Sequence, residues 1–545
     1  MMKNVWKKVV ALMLAASMAA GACACGDGKE TPNGSKNPGS DSDNTDAVSY
    51  PLDTDVQLTY WCGNQIELAE DITSWQASPF HSGMEEKTGV SVDWKWTTAG
   101  SDAGQAYQLL WVDTVLPNMI FYRITSNEAR NLLEDGMIWD LTEYLPKYAP
   151  NYWAWLNAPE NEAEKKEAML SDGTFYSVAS VKEDLYNQVY LGPVIRKDWL
   201  TECGLDMPVT LADWEKVLLA FKEKYGATLS FTSSVMSSCG GIASGTGAYG
   251  FANTADFRID DDGNVVIPQI MPEYKSMMET LSRWWGLGLI DADCLSNNDD
   301  SVRQKALSGK TGVAFVMAGY ADLIMEDAKK EGNGAEWVGM EYPRAAAGEP
   351  TSMICTTATR LTGYHTVITT QTSEEELITA LRWLDYGWTT EGQMYWNFGD
   401  EGISYSKDAD GKPQWTELVT GDSLGRANGR KKYCGVTGSG PVIQLRAYAE
   451  ANNNETMDSV IKTWASNTVA DQHMLPSMEM DEDDYDRYNE LWAPITTYIN
   501  EESLKILTGR SPVTSLDSFI SKLYDMELQD VLDIKQKYYD EYIKK

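Results

Sequence analysis

Residues 395–401, Tyr-Trp-Asn-Phe-Gly-Asp-Glu, put three aromatic rings, an amide and two carboxylates within seven positions. That set suits a sugar ring. Its C–H face can lie on a flat aromatic, while its hydroxyl rim pairs with amides and carboxylates. Tyr395 and Trp396 are therefore expected to stack, and Asn397, Asp400 and Glu401 to hydrogen-bond. Gly399 and Gly402 would let such a loop approach another surface closely. Trp61 and Asn64 form a second candidate pair, just past the strand expected at 56–61. Trp284 and Trp285 end a helical stretch and form a third, with Trp285 expected to reach a cleft.

Other chemistry is excluded by spacing. His81, His365 and His473 are isolated, and there is neither an HExxH nor a GxSxG pattern. Gly309-Lys310-Thr311 ends like a phosphate loop, but Gln304 stands where the earlier glycine is required. The acidic run from Asp260 carries Val265 and Met271 where a calcium loop needs Gly and Glu. No catalytic residue, metal or cofactor is expected.

The elements that would position these side chains are those of an α/β protein. Alternating strands at 56–61, 90–96 and 116–122, separated by helical stretches, form a β-α-β-α-β order and so a parallel, right-handed unit. Ligands of such sheets sit at the carboxyl ends of strands, where Trp61 and Asn64 fall. Asp172-Gly173 and Asp262-Gly263 mark hairpins. Thr210 with Asp213 opens one helix, and Pro272 another, whose stripe holds Tyr274, Met277, Met278, Leu281 and Trp285. Thr372 with Glu375 and Ser373 with Glu376 are overlapping capping boxes before a helix with Leu377, Ala380, Leu381, Leu384 and Trp388 on one face. The aromatic run after Gly392 reads as a loop.

A chain of 545 residues has room for several domains, and its net charge of −36 disfavours nucleic acid and anionic membrane surfaces as partners. A neutral ligand is the natural expectation. Residues 1–25 read as a lipoprotein export signal: Lys3, Lys7 and Lys8, then an apolar run at 9–20, then small residues before Cys23 and Cys25. Cys25, or alternatively Cys23, would carry the lipid. Residues 26–50 are polar and rich in Gly, Ser, Asn and Asp, as in a flexible tether. Six further cysteines are widely spaced, and isolated thiols are expected.

The pattern WLDYxxxxEGQxxxxFGxEGxxY over 383–405 resembles the extracellular solute-binding proteins of family 1. So do RKDWL at 196–200, with GL, P and T through Thr210, DW at 213–214 and the AFK of 220–222, and WWGLGLID at 284–291. The resemblance runs from about Leu58 to Tyr542, departing at Asn118, Trp396 and Asp400. It implies a two-lobed periplasmic-binding-type fold (type II) with discontinuous lobes joined by a hinge. The expected division is 51–188 plus about 308–370 for lobe 1, and 189–307 plus about 371–545 for lobe 2. It further implies a monomeric, non-enzymatic lipoprotein on the outer face of a bacterial, Gram-positive cytoplasmic membrane, touching that membrane only through its lipid. Such a protein passes a sugar, here an oligosaccharide, to the permease subunits of an ABC importer. A secreted glycan-active enzyme and a peptide-binding or peptide-sensing lipoprotein are the alternatives.

Overall fold

The computed structural model describes residues 48–63, 69–97, 102–231, 235–247, 256–351, 358–436, 440–453, 455–466 and 473–544. The export signal, nearly all of the tether, both candidate lipidation cysteines and Asn64 lie outside the described residues.

Strands in chain order are β1 (Gln57–Cys62), β2 (Ser91–Trp96), β3 (Met119–Arg123), β4 (Val178–Lys182), β5 (Leu191–Arg196), β6 (Thr228–Phe231), β7 (Arg258–Ile259), β8 (Val265–Val266), β9 (Thr311–Met317), β10 (Trp337–Gly339), β11 (Leu361–Ile368), β12 (Tyr405–Lys407), β13 (Pro413–Trp415) and β14 (Ile443–Gln444). The first sheet has the order β14-β4-β11-β3-β1-β2, and only β11 runs against the rest. Its two faces are read off β1 and β3 by alternation. Leu58, Tyr60, Met119 and Phe121 enter one buried cluster, while Trp61 and Ile120 enter a smaller one. The second sheet has the order β10-β5-β9-β6, with β5 antiparallel to both neighbours.

Each sheet has its own core, so the body is two-lobed. The chain passes between cores from Val181 to Tyr186, from Tyr342 to Leu361 and from Tyr448 to Met457. Both lobes are thus discontinuous, but the boundaries differ from the expected ones. β9 pairs with β5 from Leu191↔Met317 to Ile195↔Val313, which puts 311–317 in lobe 2 rather than lobe 1. Conversely, the helix Glu374–Tyr386 buries Leu377, Ala380, Leu381, Trp383 and Leu384 in the lobe 1 core, and the chain stays there through Tyr448. A strand buried on both faces can complete either sheet, so its own pattern does not choose the partner.

Local signals fared better. Thr210 and Asp213 form a reciprocal capping box, as do Ser373 and Glu376. Asp260 closes the β7–β8 turn by accepting the N–H groups of Asp262 and Asn264. The aromatic run is a helix, Thr390–Phe398, and not a loop. Gly392 sits inside it because a Cβ there would lie 1.8 Å from the Tyr386 carbonyl oxygen. Among the described residues Cys62, Cys203, Cys239, Cys294 and Cys434 are unpaired, while Cys355 lies outside them.

Candidate functional site

The structure does not bring the sequence-predicted residues together. Tyr395 is 3 % exposed, stacks on Phe80 at 5.5 Å and donates its hydroxyl to the Phe80 carbonyl at 3.0 Å. Trp396 is packed among Phe80 (4.9 Å) and Trp383 (5.9 Å). The Asn397 amide is fully buried and holds the main chain of Ile443 and Leu445. Asp400 pairs with Lys87 at 2.9 Å and Glu401 with Lys407 at 2.7 Å. Trp284 is buried in the second core and donates its indole N–H to Glu215 at 2.7 Å. Trp285 packs on the second core beside Gly509. These residues build the lobes, and none of them is among the described residues that line the inter-lobe cavity. Tyr395, Asn397 and Trp284 spend their polar atoms on internal bonds that satisfy buried groups.

Trp61 is the exception by position. It lies at the carboxyl end of β1, buried itself, with Tyr107 and Tyr122 each 6.1 Å from its ring. Tyr107 stacks on Tyr122 at 4.2 Å and meets the edge of Trp111 at 5.8 Å. Tyr364, at the start of antiparallel β11 and hence on the same sheet edge, stands 6.5 Å from Tyr122. Trp111, Tyr122 and Tyr364 are half-buried, so this edge offers ring surface to a ligand while Trp61 and Tyr107 back it.

Beside this edge lies a cavity of about 420 Å³ between the lobes. That volume falls within the usual range for small-molecule sites. Arg123, Thr125, Tyr176 and Gly363 of lobe 1 line it opposite Asp256, Arg258, Ser477 and Lys535 of lobe 2. Gly363 has φ +75°, and the Arg123 side chain runs across it, 3.7 Å from where a Cβ would stand. The segment before the helix Glu482–Leu507 straps the lobes together next to the cavity. Arg130 donates to Glu479 at 2.6 Å and pairs with Asp172 at 2.9 Å, while Asn127 and the Met480 main chain exchange two bonds.

Burial sets the charge states inside. The Glu167 carboxyl, accepting the Thr359 hydroxyl at 2.5 Å, is pushed up to about 7 by desolvation. His365, bonded to Ser177 at 2.9 Å, is pulled down to about 4 and stays neutral. Burial lowers Lys535 to about 8, its ammonium held 4.1 Å from the Tyr488 ring centre and 5.3 Å from that of Phe257. Arg258 is 1 % exposed, donates to the Phe257 carbonyl at 2.9 Å and faces Asp256 at 3.5 Å. Among the described residues no group of His, Cys, Asp or Glu could hold a metal ion. The arrangement can enclose and orient a ligand.

Sequence reasoning missed Tyr122, Arg123, Tyr364 and the lobe 2 wall. The carboxyl-end rule that picked Trp61 also applies to Tyr122 and Arg123, which end β3. Lys535 carries no local signal, because it belongs to a C-terminal helix nearly 280 positions beyond Phe257.

No family model matches the chain. It is 24 % identical over 535 residues to the fructooligosaccharide ABC transporter substrate-binding protein FusA of Streptococcus pneumoniae serotype 4, covering 93 % of this chain and 95 % of FusA. It is 26 % identical over 418 residues to lipoprotein LipO of Bacillus subtilis, 73 % of each chain. The solved structure of S. pneumoniae FusA in complex with kestose superposes with a TM-score of 0.69 at 21 % identity, over 89 % of this chain and 99 % of FusA. The chain is thus similar along nearly its whole length to an ABC-transporter substrate-binding protein, FusA, and carries the same two-lobed α/β fold.

Proposed function

We propose that this protein is the extracellular substrate-binding component of an ABC importer, capturing an oligosaccharide between its lobes and presenting it to the permease subunits. The observation that carries the reading is the inter-lobe cavity, whose lining residues Arg123 and Gly363 adjoin the half-buried rings of Tyr122 and Tyr364. Homology to FusA along 93 % of the chain supports it. Lobe closure around a ligand would give the permease a form to recognise. The protein acts as a monomer on the outer face of a Gram-positive cytoplasmic membrane, anchored by lipid on Cys25 or Cys23. Among the described residues no helix is long and apolar enough to cross a membrane.

Glycan hydrolysis would require two available carboxyl groups. Among the described residues two line the cavity, but Glu167 accepts the Thr359 hydroxyl and Asp256 faces Arg258. A thermal-shift screen of the chain without its export signal, against oligosaccharides and short peptides, tests the reading. A ligand that binds the native state raises the melting temperature. Stabilisation by one glycan class, recovered uncut, is the expected result. Stabilisation by peptides alone, or cleavage of the glycan, would refute it.

A further inference from the structure

The cavity departs from the charge of the chain around it. The sequence holds 81 acidic and 45 basic residues, and many of its cations are ion-paired, as Lys87, Arg130 and Arg196 are. Arg123 and Lys535 line the cavity from opposite lobes, and among the described residues neither has a carboxylate partner. Both are held instead by aromatic faces: Arg123 lies 5.8 Å from the Tyr364 ring centre, and Lys535 is clasped by Tyr488 and Phe257. A ring quadrupole offsets only part of a cation's lost hydration, so a desolvated ammonium held this way still favours an anion. The acids among the described lining residues, Asp256 and Glu167, do not cancel them. Asp256 is matched by Arg258, and the burial that lifts Glu167 to about 7 leaves about half of it neutral near pH 7.

We infer that the cavity selects oligosaccharides bearing an acidic substituent, a uronate carboxylate or a sulfate ester, which Arg123 and Lys535 grip from the two lobes. This rests on the oligosaccharide-binding reading above and replaces the neutral ligand expected from net charge. Net charge governs the far field, which salt screens within about 8 Å at physiological ionic strength. A site is decided by the few charges that touch the ligand. Because the two cations belong to different lobes, the acidic group also ties lobe closure to the correct cargo.

Calorimetry on the mature protein tests this with oligogalacturonides, glucuronate-bearing xylo-oligosaccharides and sulfated chondroitin oligosaccharides. Each is compared with its carboxyl-reduced or desulfated counterpart, beside neutral fructo-, gluco- and manno-oligosaccharides. At least one acidic ligand should bind tenfold or more tightly than its neutralised counterpart, and that preference should shrink as salt is raised. The uronate and sulfate arms identify which anion is preferred. Arg123→Gln and Lys535→Gln should each cut the acidic-to-neutral ratio about tenfold, while Lys535→Arg, which keeps the charge, should retain it. Neutral glycans binding as well as or better than every acidic one would overturn the inference and leave the function standing. Binding of no glycan at all would overturn both.

Discussion

Replacing Asn397 by alanine separates its observed role from the ligand role its sequence suggests. Its amide nitrogen donates to the carbonyls of Gln393 (2.8 Å) and Ile443 (2.9 Å), and its oxygen accepts the Leu445 N–H at 3.0 Å. The β14–β4 ladder uses the Val442 and Gln444 carbonyls, so Asn397 is what serves the main-chain groups between and after them. Truncation would strand the Ile443 carbonyl and the Leu445 N–H. At about 1–3 kcal/mol for each of these two buried groups left unpaired, the loss is about 2–6 kcal/mol. Urea unfolding followed by tryptophan fluorescence should show a midpoint lower by on the order of 1 M. Calorimetry with the bound glycan should show an affinity within about twofold of the parent. Asn397→Asp adds a second signature. At neutral pH its carboxylate would face two carbonyls, and acidification, which restores one donor, should recover part of the loss. Unchanged stability with a tenfold weaker affinity would refute the packing role and return Asn397 to the binding site.

Tyr122→Ala removes a half-buried ring at the cavity edge and should weaken glycan binding about tenfold or more, with a smaller effect on unfolding; an unchanged affinity in calorimetry would remove that edge from the site. Gly192→Ala places a methyl group 2.4 Å from the fully buried Trp464 ring and should destabilise lobe 2 by at least about 1–3 kcal/mol in urea titration. Glu479→Ala cuts the strap's link to Arg130 and should shift the ligand-free ensemble toward a more open shape, read as a larger radius of gyration in small-angle scattering. The two buried carboxyls each contribute a pH dependence of definite sign. Glu167 is lifted to about 7 and Asp385 to about 6 by burial, so both contribute stability that is complete below their ordinary values near 4 and is lost as pH rises through 6 and 7. Their combined contribution should therefore fall by roughly 3 kcal/mol or more between pH 5 and 7, while His81 and His365, held neutral by burial, add stability up to about pH 6.5. The stability difference between the parent and Glu167→Gln should accordingly shrink as pH rises through that range in denaturation measurements.

What the sequence made legible follows from the range of the forces involved. A capping box is settled within four residues, so Ser373 with Glu376 and Thr210 with Asp213 were readable. The strands β1 to β3 were readable for the same reason, since alternation and intervening helices are local. The lobe to which β9 belongs was not, because it depends on which sheet leaves an unpaired strand, β5, beside it. Nor was the fate of the aromatic run. Tyr395 and Trp396 face inward because Phe80, from more than 300 positions earlier, and Trp383 supply rings for them to pack on.

That misplacement explains why the most recognisable stretch says least about cargo. Across 383–405, Trp383 fills the first core and Asp385 accepts the Tyr152 N–H at 2.9 Å at the start of the helix Pro150–Leu156. Gly387 and Gly392 stand where a Cβ would collide with Val442 and with the Tyr386 carbonyl. These residues answer to the geometry of lobe 1, and any cargo can be carried by a lobe so built. Among the described residues the cavity wall is assembled from eight separated places in the chain: 123–126, Glu167, Tyr176, 256–258, Ala358, 362–365, 474–477 and Lys535. Each contributes one to four residues with no pattern of their own. A fold can be shared across many ligands because its packing motifs are contiguous and its contacts with the ligand are not. In this chain the first kind of residue identifies the fold, and the second, Arg123 and Lys535 above all, must name the sugar.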